Sequence, residues 1–158
     1  MLALVADESQ HIVTQVSYDR LVAGQMAPGE GRAVVHSGVV DLVGATDPGD
    51  EQYAFLDVTP GARLIEFELT MMNTRGARAG NPIRTSRFRL RDTVGEEQEA
   101  LLAVIDGSEI APAEIESGEF ATVRVLFELA GGRNPAELQY DVLEYFVSFG
   151  EQIDWEFR

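Results

Sequence analysis

The chain is 158 residues long, 45% hydrophobic, and carries a formal net charge of −15 with no cysteine. Those figures suit one domain that buries its own core, and they exclude disulfides, thiolate metal centres and a thiol nucleophile. The acidic balance repels nucleic-acid phosphates, and no run reaches the ~18 apolar residues that cross a bilayer.

Met1–Ala6 is apolar but short. It lacks a basic flank and meets Asp7 and Glu8 at once, so no signal or lipid anchor is expected within the chain. Ile12, Thr14, Val16 and Tyr18 alternate on one face and predict a strand over Ile12–Tyr18. Gly24–Gly31, with three glycines and Pro28, reads as a linker. Residues 1–31 are therefore expected to form an N-terminal extension with a candidate extra strand, and 32–158 the main domain. Ala33–Val43 predicts one long strand bent near Gly38. Asp47-Pro48-Gly49-Asp50 predicts a turn. Tyr53–Val58 predicts a strand, followed by a Pro60-Gly61 turn.

The best strands are Leu64–Met72 and Arg84–Arg91. In the first, Leu64-Ile65-Glu66-Phe67-Glu68-Leu69-Thr70-Met71 alternates apolar with polar. Ala100–Ile105 is a weak strand or a helical turn. Phe120–Leu129 is a clear strand and Ile153–Phe157 closes the chain. Asn134-Pro135-Ala136-Glu137 resembles a helix start, with Leu138, Val142, Tyr145, Phe146 and Phe149 at helical spacing. Leu138–Val142 also alternates like a strand, and periodicity leaves the two open.

Period-two alternation bounded by Gly, Asn and Asp predicts an all-β, antiparallel sandwich of about seven to nine strands. Asp92 is expected to accept bonds from the amides that follow it, and Gly95 and Gly118 to supply positive φ. Phe67, Phe88, Leu90, Val125 and Phe127 should fill the space between the sheets.

Pro60-Gly61 precedes a strand ending in Asn73. Phe88-x-Leu90-x-Asp92-x-x-Gly95 follows, and Ile115-x-x-Gly118-Glu119 precedes Val125-x-Phe127-Glu128. On these residues the chain resembles the telokin-like, immunoglobulin-fold domain of unknown function found in bacterial and archaeal exported proteins and lipoproteins, over roughly residues 32–158. The resemblance implies an immunoglobulin-like sandwich in an extracellular or cell-surface setting, with no established enzyme activity and no cofactor. It also implies that Leu138–Val142 is a strand and Tyr145–Phe149 a connecting loop.

The chemistry-bearing residues are sparse. His11 and His36 lie in separate predicted strands with no carboxylate at ligand spacing, so no metal site and no catalytic residue is assigned. Asp47, Asp50 and Glu51, and likewise Asp106-Gly107-Ser108-Glu109, match ordinary acidic turns better than calcium loops. All twelve basic residues are arginine. Half of them, Arg75, Arg78, Arg84, Arg87, Arg89 and Arg91, fall in one short stretch. Arg87, Arg89 and Arg91 alternate opposite Phe88 and Leu90. Two uses compete for them: cross-strand pairing with Glu66 and Glu68, or docking of an anionic partner or the acidic face of another copy. The expectation is a non-enzymatic, exported interaction or structural module for a protein partner or for self-association, with those six arginines as the candidate surface. The alternatives are an accessory domain for a cation or small molecule, and a hydrolase built on His36 with nearby carboxylates.

Overall fold

β4 (Arg63–Asn73) and β11 (Phe120–Leu129) pair antiparallel in register from Phe120↔Met72 to Leu129↔Arg63, and their alternation sets the core. Ile65, Phe67, Leu69 and Met71 of β4 point inward with Val123, Val125, Phe127 and Leu129 of β11, all buried. In the computed structural model, residues 10–47, 53–74, 80–107, 109–144 and 150–158 are described.

The remaining strands are β1 (Gln10–Val16), β2 (Arg32–Val35), β3 (Gly38–Thr46), β5 (Asn81–Ile83), β6 (Phe88–Asp92), β7 (Glu97–Glu99), β8 (Leu102–Ile105), β9 (Glu109–Ile110), β10 (Ala113–Ile115), β12 (Pro135–Glu144) and β13 (Gly150–Phe157). Two sheets face each other, ordered β1-β13-β12-β6-β7 and β2-β3-β4-β11-β8-β9, with β10-β5 as a small third sheet. The protein is an all-β sandwich. Inter-strand pairing is antiparallel except at the edge, where β1 runs parallel to β13. Phe88, Leu90, Leu138, Tyr140, Ile153 and Trp155 supply the facing half of the core. Phe67 meets Phe127 edge-on at 5.9 Å, and Phe88 stacks on Tyr140 at 4.4 Å.

Several expected boundaries are corrected. The strand opening at Ile12 stops at Val16. Ser17 then caps a short helix, α1 (Tyr18–Val22), that buries Leu21 in the common core. The span Ala33–Val43 is a hairpin, not one bent strand, and it reverses at His36-Ser37. Ser37 N–H and Oγ–H both donate to the Glu151 carboxylate, and His36 N–H donates to Gln10 Oε1 at 2.7 Å, so the turn is tied to the opposite sheet. Tyr53–Val58 forms no strand. It makes a turn closed by Leu56 N–H to Tyr53 O at 3.0 Å, and lays Tyr53, Leu56 and Val58 over Leu64, Leu102 and Leu126. Arg84–Arg91 is also not one strand: a 3-10 turn, Thr85–Arg87, separates β5 from β6. Asn134–Glu137, which spacing left open between helix and strand, leads into a strand, as the resemblance implied for Leu138–Val142, with a register irregularity between Pro135 and Glu137. The strand total among the described residues exceeds the expected range because β5, β7, β9 and β10 have only two or three residues each. The expected Asp47–Asp50 turn, the stretch bearing Arg75 and Arg78, and the Tyr145–Phe149 loop fall largely outside the described residues.

The turn chemistry at Asp92 and the two glycines matches expectation. Asp92 Oδ1 accepts from Val94 N–H at 2.9 Å and Glu96 N–H at 3.0 Å, and Gly95 and Gly118 have φ of 99° and 79°.

Candidate interaction surface

The sandwich has two ends. At one, β4 begins, β11 finishes and α1 packs; at the other, β4 finishes, β6 begins and β10 lies against β5. Three arginines of the first end are paired, while Arg158, which follows β13 there, is exposed and has no ion pair among the described residues. Arg20 meets Glu30, Arg63 meets Asp47 at 3.4 Å, and Arg133 meets both Asp92 at 3.1 Å and Glu96 at 2.6 Å. Burial alone would raise the Asp92 carboxyl, but the Arg133 hydrogen bond and the Glu96 and Val94 amides outweigh it and hold it below 3.8.

Of the six candidate arginines, Arg75 and Arg78 lie outside the described residues. Arg87 sits in the 3-10 turn, not on a strand face. Its Nη1 donates to the carbonyls of Asp141 and Val142, both at 3.3 Å. Arg89 and Arg91 do share the outward face of β6. Arg91 lies between Glu97 of β7 and Glu137 of β12, with Nη2 at 2.6 Å from the Glu137 carboxylate. Arg89 lies between Glu99 and Gln139. The expected pairing with Glu66 and Glu68 does not form, because β4 belongs to the opposite sheet. There Glu68 takes Arg124 at 3.3 Å. Glu66 is buried, with its carboxylate accepting from Tyr53 OH, whose pKa burial and that bond push up to about 12.

Arg84, Arg89 and Arg158 are exposed and meet no carboxylate among the described residues, in contrast to Arg20, Arg32, Arg63, Arg91, Arg124 and Arg133. Arg84 lines an open groove of about 370 Å³ with Thr85, Ser86, Ala111 and Pro112.

The histidines are not as isolated as their spacing suggests. His11 Nε2 meets Asp154 across the β1–β13 pair, with the imidazole largely exposed and the carboxylate buried. His36 is exposed, and the nearby Glu151 carboxylate engages Ser37 instead. Ser37 is itself buried. Asp106 Oδ1 accepts from Thr122 N–H at 2.9 Å, Asp47 is committed to Arg63, and Asp50, Glu51 and Ser108 lie outside the described residues. Among the described residues no three metal-ligating side chains cluster.

Sequence reasoning missed the buried Glu151 and the turn it holds. The signal was present: Glu151 shares the inward face of β13 with Ile153 and Trp155, so period-two counting places a carboxylate on the core side. It also missed Asn73 and Asn81, both buried. Asn73 Nδ2 donates to Ile115 O at 2.8 Å and ties β4 to β10.

The sequence matches no protein-family model. It also matches no curated protein. Among solved structures the fold is similar to a candidate lipoprotein, YcdA of Bacillus subtilis subsp. subtilis strain 168, with a TM-score of 0.51 and 11% identity over 80% of this chain and 38% of that one. A secreted protein of Mycobacterium tuberculosis, MPT63, gives a TM-score of 0.47 and 15% identity over 76% of this chain and 84% of that one. An uncharacterized β-sandwich protein of Clostridium difficile 630 gives 0.48 and 8% identity over 94% and 93%. At such identities the likeness concerns the fold, not the role.

Proposed function

We propose that the chain is a non-enzymatic, extracytoplasmic interaction module with an immunoglobulin-like sandwich. It docks an acidic protein surface through the arginines at the end where β4 finishes and β6 begins. One observation carries this reading. In a chain with 27 acidic residues, Arg84 and Arg89 remain exposed without a carboxylate among the described residues, and Arg75 and Arg78 fall in the stretch of sequence between β4 and β5. Where carboxylates are in surplus, a guanidinium that finds none is available to a partner. The exported setting is taken from the sequence resemblance and by analogy with the lipoprotein that shares the fold.

The test uses a fluorescently labelled poly-glutamate peptide as a model acidic partner, followed by anisotropy. Binding should weaken between low salt and ~0.15 M as screening sets in. Replacing Arg75, Arg78 and Arg84 together with Gln should weaken it by at least about fivefold with an unchanged melting temperature. Arg124→Gln, on the opposite sheet, is the control. Equal affinity of the triple variant and the parent at low salt refutes the reading.

A further inference from the structure

We infer that the groove lined by Arg84, Thr85, Ser86, Ala111 and Pro112 is a binding site for a carboxylate carried on a short apolar stem, as at the C-terminus of an extended peptide. This deepens the proposal above and rests on its premise that this end of the sandwich receives anions.

Both walls of the groove are fixed from behind. On one side, Arg87 N–H closes the 3-10 turn onto Arg84 O at 3.1 Å, and the Arg87 guanidinium anchors that turn to the Asp141 and Val142 carbonyls of β12. On the other, Ala111 N–H donates to Ala103 O at 2.9 Å, and β10 pairs with β5 from Ala113↔Ile83, which brings Pro112 opposite Arg84. A preformed cleft spends little of its binding energy on ordering. Its volume, about 370 Å³, is within the usual range for small-ligand clefts and matches a residue or two of peptide.

The lining sets the ligand chemistry. Arg84 offers a planar fork of donors suited to a carboxylate, and no carboxylate of the described chain takes it. Glu114, the nearest acid on β10, is turned toward Gly80, where an added Cβ would stand 2.9 Å from its carboxyl carbon. Thr85 and Ser86 bring hydroxyl donors beside the guanidinium, and Ala111 and Pro112 give an apolar wall for the stem. Arg84 is the one charge in the groove lining, and in a molecule of net charge −15 that favours a monoanion over a dianion, which separates a carboxylate from a phosphate.

The experiment is an amide and arginine side-chain NMR titration of the full chain with four probes: acetyl-Ala-Ala with its free carboxylate, the same dipeptide as its C-terminal amide, propionate, and inorganic phosphate. Saturable shifts at Arg84, Thr85, Ser86 and Ala111 are expected with the free dipeptide, at least about tenfold weaker with the amide, and lost in Arg84→Gln with the rest of the spectrum unchanged. Propionate binding more weakly than the dipeptide supports the site and assigns it to peptides; equal binding supports the site and assigns it to small free acids. No saturable shift with any carboxylate, shifts that survive Arg84→Gln, or tighter binding of phosphate would each overturn the inference. Loss of poly-glutamate binding with intact dipeptide shifts would sink the docking proposal and leave the groove standing; the converse would sink the groove alone.

Discussion

Leu126 and Phe127 are neighbours on β11 that point to opposite faces, and both are buried. Phe127 packs between the sheets against Phe67, whereas Leu126 lies on the outer face beneath Tyr53, Leu56 and Val58. Truncating each to Ala separates a rigid core from a core roofed by a turn. Phe127→Ala should cost about 3–5 kcal/mol, because two hydrogen-bonded sheets cannot close the cavity. Leu126→Ala removes three carbons worth roughly 2.4 kcal/mol of transfer energy. The Tyr53–Val58 roof is tied mainly by Tyr53 OH to Glu66 and by Thr59 N–H to Glu128 at 2.8 Å. It can settle inward, so the total should stay near the low end of the ~2–5 kcal/mol range for such truncations. The assay is urea unfolding followed by circular dichroism, read as a shift of midpoint at constant slope. Arg124→Ala, exposed on the same outer face, should change stability by less than about 1 kcal/mol. A loss below about 0.5 kcal/mol for Leu126→Ala would refute the roof, since that is the size expected of a surface site.

Two further outcomes follow from the polar interior. Asp92 is held below its ordinary 3.8, so its stabilisation is complete above that value and is lost as pH falls through the lower, folded value. Asp92→Asn should lower the urea midpoint at pH 7 and narrow the gap between pH 7 and pH 3; an unchanged gap would mean that the Arg133 contact carries no linkage. Tyr140 is fully buried, and its hydroxyl lies near the Asn81 side chain without a hydrogen bond of ordinary geometry. Tyr140→Phe keeps the stack on Phe88 and should be neutral or stabilising by up to about 1 kcal/mol, whereas a loss above about 1 kcal/mol would reveal a hidden partner for the hydroxyl.

Sequence alternation was enough to place β4, β11 and the inward side of β6, because long half-buried strands write their burial directly into a period of two. It failed where burial came from elsewhere. Tyr53, Leu56 and Val58 look like part of a strand but are apolar because the segment roofs Leu126. The five-residue helix α1 and the two- or three-residue strands β5, β7, β9 and β10 are too short to show any period. The arginine pairing failed for a topological reason. Alternation says which face a residue takes within its strand, not which sheet the strand joins, and β4 and β6 join opposite sheets. Glu66 and Glu68 were therefore beyond reach of Arg89 and Arg91, whose neighbours Glu97, Glu99 and Glu137 come from strands that carried weak or ambiguous signals.

The charge imbalance gives the surviving arginines their meaning. With 27 acidic residues against twelve arginines, a guanidinium usually finds a carboxylate, and at one end of the sandwich Arg20, Arg63 and Arg133 do while Arg158 stays open. At the other end, side chains hold local order mostly through backbone groups, the Glu151 carboxylate on Ser37 and Asp106 on Thr122 among them. Asn73 bonds Ile115 O, Arg87 bonds two carbonyls, and Ala111 bonds Ala103 O. That arrangement fixes the turns around Arg84 without spending its charge. A side chain needed only for folding would gain from an acid on a neighbouring strand, as Arg91 gains from Glu137. At Arg84 the segment leading into β10 offers Ala111 and Pro112, and the Glu114 carboxylate lies against Gly80. An open guanidinium between anchored walls, at the edge of a groove, is the feature that separates this end from the other.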